Sequence, residues 1–150
     1  MAKYHIFEIQ VKKADYRSLV SPQMMDKMQE QIMNIIVFQK KYRDKDYSAK
    51  KLADEIGTNT RYISAVVNTR FHMNYTQFVN SYRISEAMTL LVDKRYQNQN
   101  VAEICDMVGF ANRQSFYVSF FRFKGITPRQ YRLDNLKKHP SMVARKKARV

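Results

Sequence analysis

An all-α protein is what this sequence predicts, and three observations predict it. Among 150 residues there are only three Gly and three Pro, too few breakers for a turn-rich β protein. Apolar residues recur at helical spacing behind Ser, Thr and Asn, the residue types that best cap a helix N-terminus. One arrangement (cap, short helix, glycine, cap, second helix) is written once from Ser48 and again from Asn100. Hydrophobic content of 45% supplies enough apolar side chain for a packed core.

Each element has its own justification. Residues 4–12 alternate, with Phe7, Ile9 and Val11 on one side and Glu8, Gln10 and Lys12 on the other, which predicts a strand that pairs with another copy or frays at the chain end. Ser21-Pro22 places a capping serine before a proline at the first helical position, and Met25, Met28, Ile32, Ile35 and Ile36 follow as one apolar stripe. The stripe runs out in the charged segment Lys40 to Lys45. Ser48 opens the next helix with Leu52, Ala53 and Ile56 inward, and Gly57 ends it. Asn59 or Thr60 caps a helix with Ile63, Val66 and Val67 on one face. Asn74 opens a longer helix whose apolar positions, from Tyr75 to Leu91, wrap widely. Asp93 to Gln99 reads as a polar loop. Asn100 and Glu103 have capping-box spacing before Ile104, Cys105 and Val108, and Gly109 stops that helix. Asn112 caps a helix with Phe116, Phe120 and Phe123 on one side. Thr127-Pro128 opens the last, which holds Tyr131 and Leu133, and the tail from His139 has no periodicity.

The expected organisation is an N-terminal extension over 1–20, a first helix-turn-helix subdomain over 21–73 and a linking helix over 74–92. A second helix-turn-helix subdomain over 93–138 and a basic, mobile tail over 139–150 complete it. LADEIG at 52–57 matches ICDMVG at 104–109 in pattern, so the tri-helical unit is duplicated rather than stacked as a solenoid. Gly57 and Gly109 fall where a turn demands positive φ.

Lys and Arg number 27 against 13 Asp and Glu, a net charge of +14. Such a charge predicts attraction to polyanions and salt-sensitive association. A helix-turn-helix in so basic a chain points to DNA, because the motif lays its second helix in the major groove. The single cysteine, Cys105, excludes an intrachain disulfide and a multi-cysteine zinc site, and its core position reads as a buried thiol. His5, His72 and His139 lack ligand spacing. No metal, no cofactor and no catalytic constellation is expected, and the protein reads as a non-enzyme. No apolar run approaches the ~18 residues of a membrane span, and the N-terminus has no signal-peptide pattern, so a cytoplasmic, nucleoid-associated protein is expected.

The motifs Val101-Ala-Glu-Ile-Cys105, Val108-Gly-Phe110, Phe116, Phe120, Gly125-Ile-Thr-Pro128 and Tyr131-Arg132 resemble the AraC/XylS family of bacterial transcription regulators. Phe78-Val-Asn-Ser-Tyr-Arg-Ile84, Ala87, Leu90-Leu91, Leu52-Ala53 and Gly57 extend the resemblance over about residues 46 to 135. It implies two helix-turn-helix subdomains joined by a long helix, with both recognition helices on one face, entering successive major grooves ~34 Å apart. By family position Arg61, Ser64 and Ala65 of the first recognition helix face base edges. In the second, Arg113, Gln114, Tyr117 and Val118 are outward. Arg61 and Arg113 suit guanine O6 and N7, Gln114 suits adenine N6 and N7, and Ala65 can touch only a thymine methyl. Ala65 stands where many relatives carry a longer polar residue, and Val118 where some carry arginine. Asn59, Thr60, Asn68, Arg70, Asn112, Arg122 and Lys124 are the expected phosphate contacts, which set register without reading sequence.

The expected function is a sequence-specific DNA-binding regulator, an activator by family habit, with double-stranded DNA and RNA polymerase as partners. Residues 4–12 are the expected edge for self-association or for a preceding domain. Two other readings compete. One is a protein-interaction module acting on RNA polymerase or another regulator, and the other a nonspecific architectural DNA binder.

Overall fold

A computed structural model describes residues 19–138, so the expected strand over 4–12 and the tail over 139–150 lie outside the described residues. Within the described residues there are seven α-helices and no strand. They run α1 (Pro22–Met33), α2 (Ala49–Ile56), α3 (Thr60–Phe71), α4 (Tyr75–Val92), α5 (Val101–Val108), α6 (Arg113–Lys124) and α7 (Pro128–Lys138). The chain divides into two compact units between Val79 and Asn80, inside α4.

Local rules set the helix boundaries. Ser21, Ser48, Asn59, Asn100 and Asn112 each turn a side-chain oxygen onto the backbone N–H three residues on, satisfying one of the donors that a helix start leaves unpaired. Thr127 does the same for Gln130 N–H at 3.1 Å. At α4 the cap is reciprocal: Asn74 Oδ1 accepts from Gln77 N–H at 2.8 Å, and Gln77 Oε1 accepts from Asn74 N–H at 3.1 Å. Gly57 (φ +87°) and Gly109 (φ +103°) hold the left-handed conformation that ends α2 and α5 and lets the chain turn sharply into the next helix.

In the first unit α1 packs on α2 and α3, and α2 packs on α3. The apolar stripe of the first helix does not continue as α-helix to its end. Asn34–Phe38 is a π-helical turn in which Gln39 N–H reaches Asn34 O at 2.9 Å. The consecutive Ile35 and Ile36 within this turn are both buried. Lys40, at φ +58°, then stops the helix, and a 3₁₀ turn over Lys41–Arg43 buries Tyr42. Tyr47 donates its hydroxyl to Glu55, and Tyr75 donates to Tyr47 O at 3.2 Å, tying the start of α4 to the segment before α2. Burial, with Glu55 beside it, pushes the Tyr47 phenol above its ordinary pKa and keeps it a donor.

In the second unit α6 packs on α5 and α7. Its core joins Ile84, Ala87 and Leu91 of α4 with Ile104 and Val108 of α5 and the two buried phenylalanines of α6. Four rings form an edge-to-face chain through it, Phe110–Phe116 at 5.2 Å, Phe116–Phe120 at 5.8 Å and Phe120–Tyr131 at 5.7 Å between centroids. The segment Asp93 to Gln99, read as an open loop, contains a 3₁₀ turn over Lys94–Tyr96 capped by Asp93. Tyr96 packs against the core, which is why the turn is ordered. Cys105 is buried, with its thiol 3.7 Å from Asn112 O.

Arg132 locks this unit from α7. Its Nε donates to Leu91 O at 2.9 Å, and its terminal nitrogens donate to Gln99 O at 2.7 Å and Tyr96 O at 3.3 Å. One planar fork thus satisfies a helix-end carbonyl and two carbonyls of the turn that follows. Burial lowers its pKa from the ordinary arginine value, as expected of a guanidinium withdrawn from water.

Two stability outcomes follow from these contacts. Arg132→Lys should lower unfolding free energy by about 2 kcal/mol, since one ammonium cannot serve three diverging carbonyls. Gly57→Ala should cost about 1 kcal/mol and Gly57→Asn less, because open space surrounds the missing Cβ and only the left-handed backbone is penalised. Urea denaturation of the full chain measures both.

Candidate nucleic-acid interface

Each unit contains the same local device: a short helix, a left-handed glycine, an asparagine cap and a longer helix. In the second unit Gly109 and Phe110 deliver the chain to Asn112, whose Oδ1 accepts from Ser115 N–H at 2.8 Å and starts α6. Phe116 and Phe120 are completely buried, one helical turn apart on the inner face. Asn80 and Ser119 approach to 3.5 Å, and Arg83 lies over the Phe110 ring while donating to Asn80 Oδ1 at 2.9 Å. These contacts fix the rotation of α6 about its axis.

The face turned outward therefore carries Arg113, Gln114, Tyr117 and Val118, all exposed, as the sequence reading places them. Arg122 and Lys124 are exposed in the last turn. Among the described residues, neither Arg113 nor Gln114 makes a side-chain hydrogen bond or ion pair, so their donors remain available to a ligand. Asn112 is exposed at the helix start, where the backbone N–H groups of the first turn point outward along the axis. Phe123, placed by its spacing on the inner side, is instead 40% exposed, because it lies in the last turn, just before α6 ends at Gly125. Phe121, to which the sequence reading assigns no role, is 58% exposed, lies seven residues after Gln114 and shares its face.

In the first unit α3 opens from Asn59, whose Oδ1 accepts from Tyr62 N–H at 3.1 Å. Thr60 and Arg61 are exposed, while Ser64 and Asn68 are half-buried. Ala65 requires a correction. The sequence reading turns it outward toward a base, but it is fully buried, together with Ile63, Val66 and Val67. The inner face of α3 is wider than its branched residues indicate, and a side chain of one methyl group admits close approach of the surrounding structure. Ala65 cannot touch a base from this position.

Arg70 requires a second correction. Its guanidinium is 2.7 Å from Asp26 Oδ1 and donates to Gln29 Oε1 and to Pro22 O, both at 3.2 Å. These bonds fasten the end of α3 to α1. Arg70 is a structural clamp rather than the phosphate contact expected of it. A phosphate-binding arginine lowers the salt slope of DNA binding by about one when removed. Arg70→Gln should leave that slope unchanged and lower the melting temperature, whereas Arg122→Gln should do the reverse. Binding titrations across a salt series distinguish them.

No group of acidic, histidine and cysteine side chains able to hold a metal occurs among the described residues, and no helix there is long and apolar enough to cross a membrane.

The comparisons with known proteins agree with this geometry. The chain is 26% identical over 89 residues to an uncharacterized helix-turn-helix-type transcriptional regulator of Bacillus subtilis, and 24% identical over 89 residues to the melibiose operon regulatory protein of Escherichia coli. Each match covers 59% of this chain but only 11% and 28% of those longer proteins. The fold superposes on the C-terminal domain of the two-component response regulator yesN from Fusobacterium nucleatum with a TM-score of 0.60 and 28% identity, covering 69% of this chain and 96% of that one. A family model described as a helix-turn-helix domain matches residues 52–134, more than half of the chain. With the two capped helix-turn-helix devices and these relatives together, the chain belongs to the AraC-type helix-turn-helix family of DNA-binding transcription regulators.

Proposed function

We propose that this protein activates transcription from a bipartite DNA site, with α3 and α6 entering successive major grooves of the duplex. The observation that carries the reading is the outward face of α6. Arg113 and Gln114 stand exposed and unpaired among the described residues in the first turn of a capped helix, next to its positive end. That is where a recognition helix meets base edges, and the two side chains match the acceptors of guanine and the donor–acceptor pair of adenine. Arg61 and Ser64 serve the same purpose on α3. The burial of Ala65 narrows that reading surface, so the first unit contributes fewer base contacts than the second.

Asn59, Thr60, Asn68, Asn112, Arg122 and Lys124 supply phosphate contacts in this scheme, and the net charge of +14 adds a salt-sensitive attraction. RNA polymerase is the partner through which a promoter-bound protein of this kind activates, and the cytoplasm is where it does so. No reaction is assigned to the protein.

Selection of sites from random duplex DNA by the purified full chain, at near-physiological salt, tests the reading. The expected result is two short boxes about one helical turn apart. Arg113→Ala should cost about 1–3 kcal/mol of binding to the selected site and relax one position of one box, with Arg61→Ala acting on the other. Tight, salt-sensitive binding without any enriched sequence would favour an architectural or protein-docking role instead.

A further inference from the structure

Two apolar side chains on the outward face of α6 stand exposed among the described residues. Val118 is 53% exposed and Phe121 is 58% exposed, in a helix whose Phe116 and Phe120 are fully buried. With Gln114 they recur at spacings of four and three residues, which makes one stripe along the helix, directly opposite the buried pair. Arg122, one helical turn after Val118, is an exposed cation beside this stripe, whereas Lys124 turns its ammonium over the Tyr131 ring. An apolar strip with an exposed cation beside it fits a surface that carries methyl groups and is negative at its edge.

Duplex DNA offers such a surface at one kind of base. In the major groove every base edge is polar, and thymine alone adds an apolar C5-methyl group beside its O4 acceptor. Adenine, its partner, presents the N7 and N6 pattern that a glutamine amide matches in a bidentate pair. Gln114 therefore stands at the head of a stripe whose three members all prefer A·T pairs, from either strand. We propose that Val118 and Phe121 are specificity-determining residues that contact thymine methyl groups, so that the box read by α6 is written mainly in A·T pairs. The inference rests on the DNA-reading role of α6 and adds to it the base that this face selects.

Uracil differs from thymine only by that methyl group, which makes a direct test available. In the selected duplex, thymines of each box are replaced one at a time by deoxyuridine, and binding of the full chain is measured. Replacement at one or two positions of one box should weaken binding about threefold to fivefold, the size expected for one methyl group withdrawn from water. Val118→Ala or Phe121→Ala should abolish the thymine preference at its own position and leave the others intact. Both residues are exposed, so the variants should fold, and their unchanged circular dichroism serves as the control. Equal binding of thymine and uracil duplexes, boxes without thymine, or a preference that survives both substitutions would overturn the inference while leaving the DNA-reading role standing. Failure of the selection to enrich any sequence would overturn both.

Discussion

The reading face of the second unit depends on the burial of Phe116 and Phe120. A helix can turn only one side to a core, and these two rings decide which side of α6 that is. They are held at angles by Phe110 before them and Tyr131 after them, in a chain of edge-to-face contacts that spans α5's exit, α6 and α7. Truncating a buried phenylalanine of this kind costs about 3–5 kcal/mol, a large share of what a small domain has. Once the inner face is set, Arg113, Gln114, Val118 and Phe121 have nowhere to point but outward. Packing, a purely structural matter, thus determines which side chains meet a ligand.

The positive charge of the chain divides into two populations that composition cannot separate. Arg132 satisfies three carbonyls, Arg70 joins α3 to α1, and Arg83 lies on the Phe110 ring. These guanidinium groups act inward as rigid multi-donor forks, a task lysine performs poorly. Arg61, Arg113 and Arg122 are exposed and belong to the other population, while Lys124 is exposed but also lies over the Tyr131 ring. A net charge of +14 therefore overstates the number of contacts available to a polyanion, although it still raises the rate of encounter.

Where a feature depends on a few neighbouring residues, the sequence made it legible. The serine and asparagine caps, the left-handed glycines 57 and 109, the buried Cys105 and the order of the helices all follow from local rules, and the structure agrees with each. The outward positions of Arg113, Gln114, Tyr117 and Val118 follow from the phenylalanine spacing. What stayed hidden depends on tertiary surroundings. The π-helical turn over Asn34–Phe38, with Ile35 and Ile36 both buried, has no local sequence signature. The inward place of Ala65, the engagement of Arg70 with Asp26, and the exposure of Phe123 each depend on what lies across a helix from them. Phe121 was legible in principle, since its distance from Gln114 places it on the reading face. A phenylalanine among three others in one helix is read most readily as core.

The central claim is that the outward face of α6 lies in a major groove and reads one box of a longer site. Affinity cleavage tests it most directly. An iron chelate attached through Ala111→Cys, an exposed position just before α6, in the full chain with Cys105 protected by its burial, generates hydroxyl radicals where that residue sits. Cuts confined to a few base pairs of one box, with the strand offset of a major-groove source, are the result this account predicts. Cuts scattered evenly along the duplex, or none above those from the same chelate on an unselected sequence, would contradict it.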